Sequence, residues 1–425
     1  RNPKTKLFRN SSKLSALTKW MLTATPVQNK AVDLYSLFRV SCGIRDDVKL
    51  KKGIDEIISL RNKHLIRRYK QEILHTLPPL EIDNLLCKFI SEEEQEFYMK
   101  IEKRTTDEFN DAIVNGNRNY MIAVLEMLLR LRQCTFHPQL VIDGFKKKGV
   151  FDNDIPDWEG TTTKLHYLEK NVLEEMKEDP SQRTLIFCQF RTEMDMIQAM
   201  LRKHGFTTFI YCGSTPANTR EDIVTGLLRP QFLIIQIKAG GAGLNLQMYN
   251  RVYFTSVDWN PSNEFQAIGR AHRSGQRKPV KVTRLLLDWN DRYKNELKTV
   301  KRRIDEQDRI IKERTEELDN LRSMLVTEQN KLEEDKNKQL IIQYGKQIIT
   351  MQKDIRELGK IQDSIKKDHK FNTIDKRIFE IQKHKTSIQA DILDDKYLQQ
   401  VHDYKTRGAV AMNLNQNNYR HLILG

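Results

Sequence analysis

The chain has 425 residues, 39% hydrophobic and 30% charged, with 72 basic against 57 acidic side chains for a formal net charge of +15. That length allows two or three domains with real cores, and the basic excess favours polyanionic partners, nucleic acid first. Five dispersed cysteines without a Cys-x-x-Cys pair speak against a zinc site or a disulfide framework, and no apolar run reaches transmembrane length.

No signal peptide opens the chain, so an intracellular protein is expected. It starts at Arg1 rather than at a methionine, which leads us to expect a fragment. "KWMLTATP" reads as a short buried strand, Trp20 to Leu22, running into a loop fixed by Pro26. "AVDLYSLFRV" follows with apolar residues at helical spacing. Residues 51–160 read as mainly helical, interrupted by "LPPLEIDNLLCKFI", where two prolines and alternating apolar residues predict an extended segment. "MIAVLEMLLRLRQCTFHP" is an apolar helix ended near Pro138, and the polar stretch 143–163 is the best internal linker.

From 164 to 288 uninterrupted strands alternate with helices: "TLIFCQF", "TTFIYCG", "FLIIQI", "VYFTSV" and "VKVTRLLL" are separated by helical stretches such as "TEMDMIQAMLRKHG", closed by Gly205, and "TREDIVTGLL". This predicts an α/β fold, a parallel sheet with helices on both faces, as in a RecA-like lobe or any doubly wound domain. Beyond it, Leu297, Ile304, Ile311, Leu318, Leu325 and Leu332 recur every seventh residue. After "EEDKNKQ" the stripe restarts with Ile341, Tyr344, Ile348, Met351, Ile355, Leu358 and Ile365. The break in phase favours an antiparallel coiled-coil hairpin over 291–371, with arms of roughly 50–65 Å, against the rival of one long dimeric coil.

Three stretches offer chemistry. In "QAIGRAHRSGQRKPV" a helix would place Gln266, Arg270 and Arg273 at i, i+4 and i+7 on one face. Guanidinium forks bind phosphate oxygens bidentately. Those phosphates could belong to a nucleotide or to a nucleic-acid backbone, and the stretch alone leaves both open. "IKAGGAGLNLQ" ends an apolar strand with glycines whose backbone can approach a ligand. "MLTATPVQN" offers the Thr23 and Thr25 hydroxyls and the Gln28 amide at a strand end.

Taken in this order, the stretches resemble the Swi/Snf-type ATPases of helicase superfamily two, which are double-stranded-DNA translocases and chromatin remodellers. "LTATPVQNKAVDLYSLFRV" is similar to their third motif, with Ala24 where glycine is usual, and "LIRRYKQEILHTLPPLE" and "LLRLRQCTFHPQL" to the segments that follow. "TLIFCQF" resembles motif four, "YCGSTPANTRED" the turn carrying Arg220, "QIKAGGAGLNLQ" motif five, and "DWNPSNEFQAIGRAHRSGQ" motif six with its lead-in. "NTIDKRIFEIQKHKTSIQADIL", 372–393, is similar to a brace that the family places soon after its last strand, which makes the coiled coil an insertion. The division implied is the end of a first RecA-like, ATP-binding lobe (1–50), a helical region and linker (51–160), a second RecA-like lobe (161–290), the coiled-coil hairpin (291–371), and a brace and tail (372–425).

The resemblance implies roles. Arg273 would be the arginine finger and Arg270 a second phosphate-facing cation, with Gln266 and Gly243 on the nucleotide side. Thr23, Thr25 and Gln28 would couple hydrolysis to lobe movement. Gln189, Lys238, Gly240, Gly241, Trp259, Asn260 and Arg220 would face DNA. Such contacts follow the phosphate backbone and read few bases. Gln236 and Ile237 replace the small hydroxyl residues often found at the start of motif five.

The sequence contains no GxxxxGK[ST] phosphate loop and no DEAH-like box for Mg²⁺. ATP and Mg²⁺ are therefore expected as cofactors only together with an upstream ATP-binding half, and the chain alone is expected to be inactive. The expected parent is an ATP-dependent double-stranded-DNA motor in remodelling, transcription or repair, working in a nucleus or a viral replication compartment; a large DNA virus is one source that the composition fits. The alternative is a non-catalytic DNA-binding scaffold that holds a partner through its coiled coil. An RNA helicase matches the motifs less well. No membrane and no zinc are expected.

Overall fold

The computed structural model describes residues 5–28, 31–44, 53–68, 72, 77–114, 120–147, 149, 156–160, 162–239, 244–331, 337–368 and 371–393. In chain order the helices and strands are α1 (Lys6–Ser12), α2 (Ala31–Cys42), α3 (Gly53–His64), β1 (Leu80–Lys88), α4 (Glu92–Val114), α5 (Tyr120–Cys134), α6 (Pro138–Lys146) and α7 (Thr163–Glu178). There follow β2 (Thr184–Cys188), α8 (Arg191–Lys203), β3 (Thr208–Tyr211), α9 (Ala217–Thr225), β4 (Phe232–Gln236), β5 (Arg251–Phe254), α10 (Pro261–Ala271) and β6 (Val280–Asp288). The last described helices are α11 (Asp291–Gln329), α12 (Lys338–Asp368) and α13 (Ile374–Leu393). Two compact units result: α13 joins everything up to Asp288, and the intervening Trp289–Asn372 form the second unit. None of the described helices is long and apolar enough to cross a membrane.

The six strands form one parallel sheet in the order β1-β6-β5-β2-β4-β3. Its central strands are apolar because both faces are covered. One face buries Ile186, Phe232 and Tyr253 against Leu168 and Val172 of α7 and Met194, Ile197 and Leu201 of α8. The other buries Leu185, Phe187, Leu233 and Val252 against Ile223 of α9 and Ala267 and Ile268 of α10. This is the doubly covered α/β architecture of a RecA-like lobe.

Two expectations change. The extended segment after Pro79 is not a mere interruption of a helical region: β1 pairs with β6 along nine residues, from Leu80 opposite Val280 to Lys88 opposite Asp288. It is an edge strand of the sheet, so the sheet draws on chain well before residue 161. The short buried strand at Trp20–Leu22 does not form among the described residues: 14–22 lack regular structure, with Trp20 77% and Leu22 92% exposed. A strand needs a neighbour for its backbone groups, and no other described strand pairs with this stretch.

A smaller core joins Val27, Leu34, Tyr35 and Phe38 to Ile57 of α3 and to Ile388, Ile392 and Leu393 of α13. Helix α13 is buried around most of its circumference, and its polar residues are paired accordingly. Asp375 forms an ion pair with the fully buried Lys164 and accepts from Leu287 N at 3.1 Å. Lys164 also donates to Thr255 O at 2.7 Å. Ile374 N donates to the Tyr98 hydroxyl at 2.8 Å, and Arg377 pairs with Glu102.

In the second unit α11 and α12 pack antiparallel: Asp308 meets Gln362, while Glu328, twenty residues on, accepts from Asn337 N. Leu297, Ile304 and Leu318 are buried, as is Ile348 opposite. The intramolecular hairpin is thus the arrangement observed, its longer arm about 58 Å at 1.5 Å per residue. Leu332 lies outside the described residues.

Glu94 supplies a testable pH dependence. Its carboxylate accepts from Thr163 N and Oγ1 in a buried site, and burial, opposed by those hydrogen bonds and by Lys164, pushes its pKa from 4.5 up to about 7. The folded state therefore holds this proton more tightly than the unfolded chain, so the stabilisation is fully present below pH 4.5 and is lost as pH rises through about 7. Glu94→Gln, which still accepts from Thr163, should flatten the fall of thermal midpoint between those pH values. An equally steep fall in the variant would contradict this assignment.

Candidate functional site

The carboxyl ends of β2, β4 and β5 lie side by side, where ligands of parallel α/β sheets bind. Gln189 follows β2, the exposed Lys238 follows β4, and Trp259 and Asn260 follow β5. Asp258, 5% exposed, organises this edge. One carboxylate oxygen accepts from Gln189 Nε2 at 3.2 Å; the other accepts from Asn260 N at 2.8 Å and Asn263 Nδ2 at 2.9 Å. Asn260 in turn caps α10 by accepting from Ser262 N, and Pro261 occupies the first helical position, where its missing N–H costs nothing. Gln236 Nε2 reaches Gln189 O at 3.5 Å, tying the ends of β4 and β2.

Below Asp258 sits a buried ion pair. Glu264 Oε2 accepts from Arg284 Nε at 2.7 Å, with both side chains at most 3% exposed. Glu264 Oε1 accepts from Asp258 N and from Gln382 Nε2. Gln382 donates also to Asp258 O at 2.6 Å, and Lys385 Nζ donates to Trp259 O at 2.7 Å. On the other side, Arg132 donates to Val257 O, and its guanidinium stacks 5.1 Å from the Trp259 ring centroid. The segment 257–264 is thus gripped by α5, β6 and α13 at once. Glu193, whose pKa is raised by burial, accepts from Gln189 N and Phe190 N and fixes the start of α8.

The outer face of α10 makes a second cluster. Gln266 Nε2 donates to Thr25 Oγ1 at 3.0 Å, and Thr25 N donates to Thr23 Oγ1 at 3.1 Å. Gln28 N donates to Asp33, and Gln28 O accepts from Gln389 of α13, which also reaches Ser262 Oγ at 3.4 Å. Thr23, Thr25 and Gln266 are therefore one hydrogen-bonded group, and Gln28 meets the same helix α10 through Gln389 and Ser262. Arg270 is half-buried on the same helix; burial lowers its pKa first, and the nearby Arg273 charge lowers it further.

Arg273 departs from the expected helical face. Helix α10 ends at Ala271, and Arg273 lies in the turn beyond it. Three interactions force the turn. The His272 ring is 2.9 Å from Pro78 O, Gln276 Nε2 donates to Ala271 O and Tyr249 O, and Gly275 adopts φ +93. A Cβ on Gly275 would also lie 2.5 Å from Gln247 Oε1. Among the described residues none bonds the Arg273 guanidinium, although it stays close enough to Arg270 to perturb it. Two neighbouring cations, one without a protein partner, suit a polyphosphate.

Arg220 is used differently from a surface contact. Its guanidinium donates to the Cys212, Gly213 and Thr215 carbonyls and lies over the Tyr211 ring. Gly240, Gly241 and Gly243 lie outside the described residues. Sequence reasoning missed Arg132, Asp258, Glu264, Arg284, Gln382, Lys385 and Gln389. The available signal was the spacing of polar residues at 382, 385 and 389, which puts them on one face of the helix.

The six-stranded parallel sheet with helices on both faces defines an α/β lobe of the RecA-like class. Family models agree: residues 1–140 match the SNF2-related domain and 163–275 the helicase conserved C-terminal domain. The chain belongs to the Swi/Snf-type family of helicase superfamily two. It is 29% identical over 306 residues to the mouse "SWI/SNF-related matrix-associated actin-dependent regulator of chromatin subfamily A member 1", covering 68% of this chain and 28% of that protein. It is 27% identical over 304 residues to the "Probable global transactivator" of Orgyia pseudotsugata multicapsid polyhedrosis virus, covering 68% of this chain and 59% of the relative. The chain thus spans less than two thirds of these relatives. A solved structure, "Crystal structure of the C-terminal part of Fun30 ATPase domain", is 21% identical, with a TM-score of 0.40 over 50% of this chain and 86% of that one.

The grip on 257–264 can be tested. Arg284→Ala leaves Glu264 buried without its cation and should destabilise the protein by about 3–5 kcal/mol. Gln389→Ala, which loses two weaker contacts, should cost about 1 kcal/mol. Denaturant midpoints would measure both, and equal losses would contradict the network.

Proposed function

We propose that the chain is the C-terminal portion of an ATP-dependent double-stranded-DNA translocase, of the kind that remodels chromatin or displaces proteins in transcription or repair. The observation that carries this reading is the Gln266–Thr25 hydrogen bond. It joins the helix bearing Arg270 to the loop bearing Thr23 and Gln28, so the two halves of a coupling device meet. Arg273 is the arginine finger and Arg270 the second phosphate-facing cation, with Gln266 and Gly243 beside the nucleotide. Thr23, Thr25 and Gln28 pass movement between the lobes. The DNA side is the carboxyl edge, with Gln189, Lys238, Gly240, Gly241, Trp259 and Asn260 following the phosphate backbone. Arg220 shapes the neighbouring loop through its three carbonyl contacts.

ATP and Mg²⁺ belong to this function, but the phosphate loop and the carboxylates for Mg²⁺ come from an upstream half that this sequence does not contain. What these residues supply is positive charge placed against phosphate oxygens, fixed by the turn at Gly275 and by the α10 framework. The exposed apolar stretch around Trp20 and Leu22 supports the same reading, because a first lobe would offer it neighbouring strands. The scaffold alternative leaves the adjacent arginines unexplained, since holding a partner does not require them.

The test adds an upstream half with a phosphate loop to this chain. DNA-stimulated ATPase activity should appear, while the chain alone turns over no ATP. Arg273→Ala should reduce the rate of the completed protein by about 10³-fold or more with DNA binding retained. A completed protein that binds duplex DNA without hydrolysing ATP would establish the scaffold reading instead.

A further inference from the structure

The charges of the coiled-coil hairpin are segregated along its length. Residues 291–303 of α11 hold six basic and two acidic side chains, whereas residues 304–329 hold four basic and eight acidic. The first part is therefore +4 and the second −4. The distal cations of α11 are neutralised locally: Arg309 pairs with Glu306, Lys312 with Glu316, Arg314 with Glu317 and Arg322 with Asp319.

The proximal cations are not. Lys301, Arg302 and Arg303 are exposed and, among the described residues, enter no ion pair or hydrogen bond through their side chains. Lys298 is exposed and donates only to the neutral Asn295. Lys298, Lys301 and Arg302 stand at i, i+3 and i+4, on one face. The contact of Asp308 with Gln362 sets the pairing register. It brings Lys366 of α12, also exposed and unpaired, level with Ile304, about one turn distal to Lys301. Asp305 and Asp363 bound this face on its distal side.

Four unpaired cations within about 10 Å of helix axis repel one another and gain from a multiply charged anion. Successive phosphates of one DNA strand lie every ~3.4 Å along the duplex axis, so several fall within reach of this length. We propose that the proximal end of the hairpin, through Lys298, Lys301, Arg302 and Lys366, is a contact surface for the phosphate backbone of duplex DNA, additional to the carboxyl edge of the sheet. This rests on the reading of the chain as acting on double-stranded DNA. The acidic, self-paired distal part of α11 is repelled by the same backbone, which favours contact through the proximal end.

The test measures duplex binding by the whole chain across a salt series. Neutralising Lys298, Lys301, Arg302 and Lys366 to Gln should reduce the slope of log K against log salt by about 2–3 and weaken binding about tenfold or more. Neutralising Lys312, Arg314, Arg322 and Lys331 to Gln, an equal charge change at the distal end, should leave the slope within experimental error. Helical circular dichroism should be unchanged in both variants, since all eight positions are on the surface. An unchanged slope in the proximal variant, or an equal loss in the distal one, overturns the proposal while leaving the motor reading intact. An unchanged DNA slope with lost retention on immobilised polyglutamate would instead assign the surface to an acidic protein. Failure of the unmodified chain to bind duplex DNA would refute the broader reading as well.

Discussion

The buried pair of Glu264 and Arg284 is the constraint on which the arrangement of the carboxyl edge depends. Removing two charges from water is costly, and the cost is offset only when the geometry is good and the remaining lone pairs are satisfied. Here both conditions hold. One Glu264 oxygen takes the guanidinium, and the other takes Asp258 N and the Gln382 amide. The position of Asp258 follows, and with it those of Gln189, Asn260 and Asn263. The loop at the carboxyl edge of β5 is thus defined from beneath by an ion pair on α10 and β6.

Helix α13 extends the same logic across the first unit. Its glutamines hold the 257–264 loop and the Gln28 carbonyl at once, while its apolar residues complete the small core with α2 and α3. The sheet and the Thr23–Gln28 segment are therefore coupled through one rigid element as well as through Gln266.

Much of this was legible from residue pattern. Uninterrupted apolar strands separated by helices specify a parallel sheet with two covered faces, and the heptads specify paired helices; both are local signals with a fixed period. What was illegible was long-range. Nothing within "LEIDNLLCK" says that it pairs with a strand two hundred residues later, because pairing partners leave no mark in a single strand. The end of α10 at Ala271 depends on Pro78 O and Tyr249 O, so helical periodicity alone carried Arg273 onto a face it does not share. Trp20–Leu22 looked buried because apolar composition reports what a segment wants to pack against, not what is present to receive it. Gln382 and Gln389 read as ordinary helical glutamines until their surroundings are known.

The position of α13 after the hairpin bears on biosynthesis. Among the described residues Lys164, wholly buried, forms its ion pair with Asp375, and the 84 residues from Trp289 to Asn372 separate the last strand of the sheet from the segment that carries it. At about 5–20 residues per second, a ribosome needs roughly 4–17 s to make that stretch. During this interval the sheet is fully synthesised yet lacks the ion-pair partner of Lys164 and the helix that later covers its groove. The nascent lobe thus stays incomplete until α13 emerges and closes it.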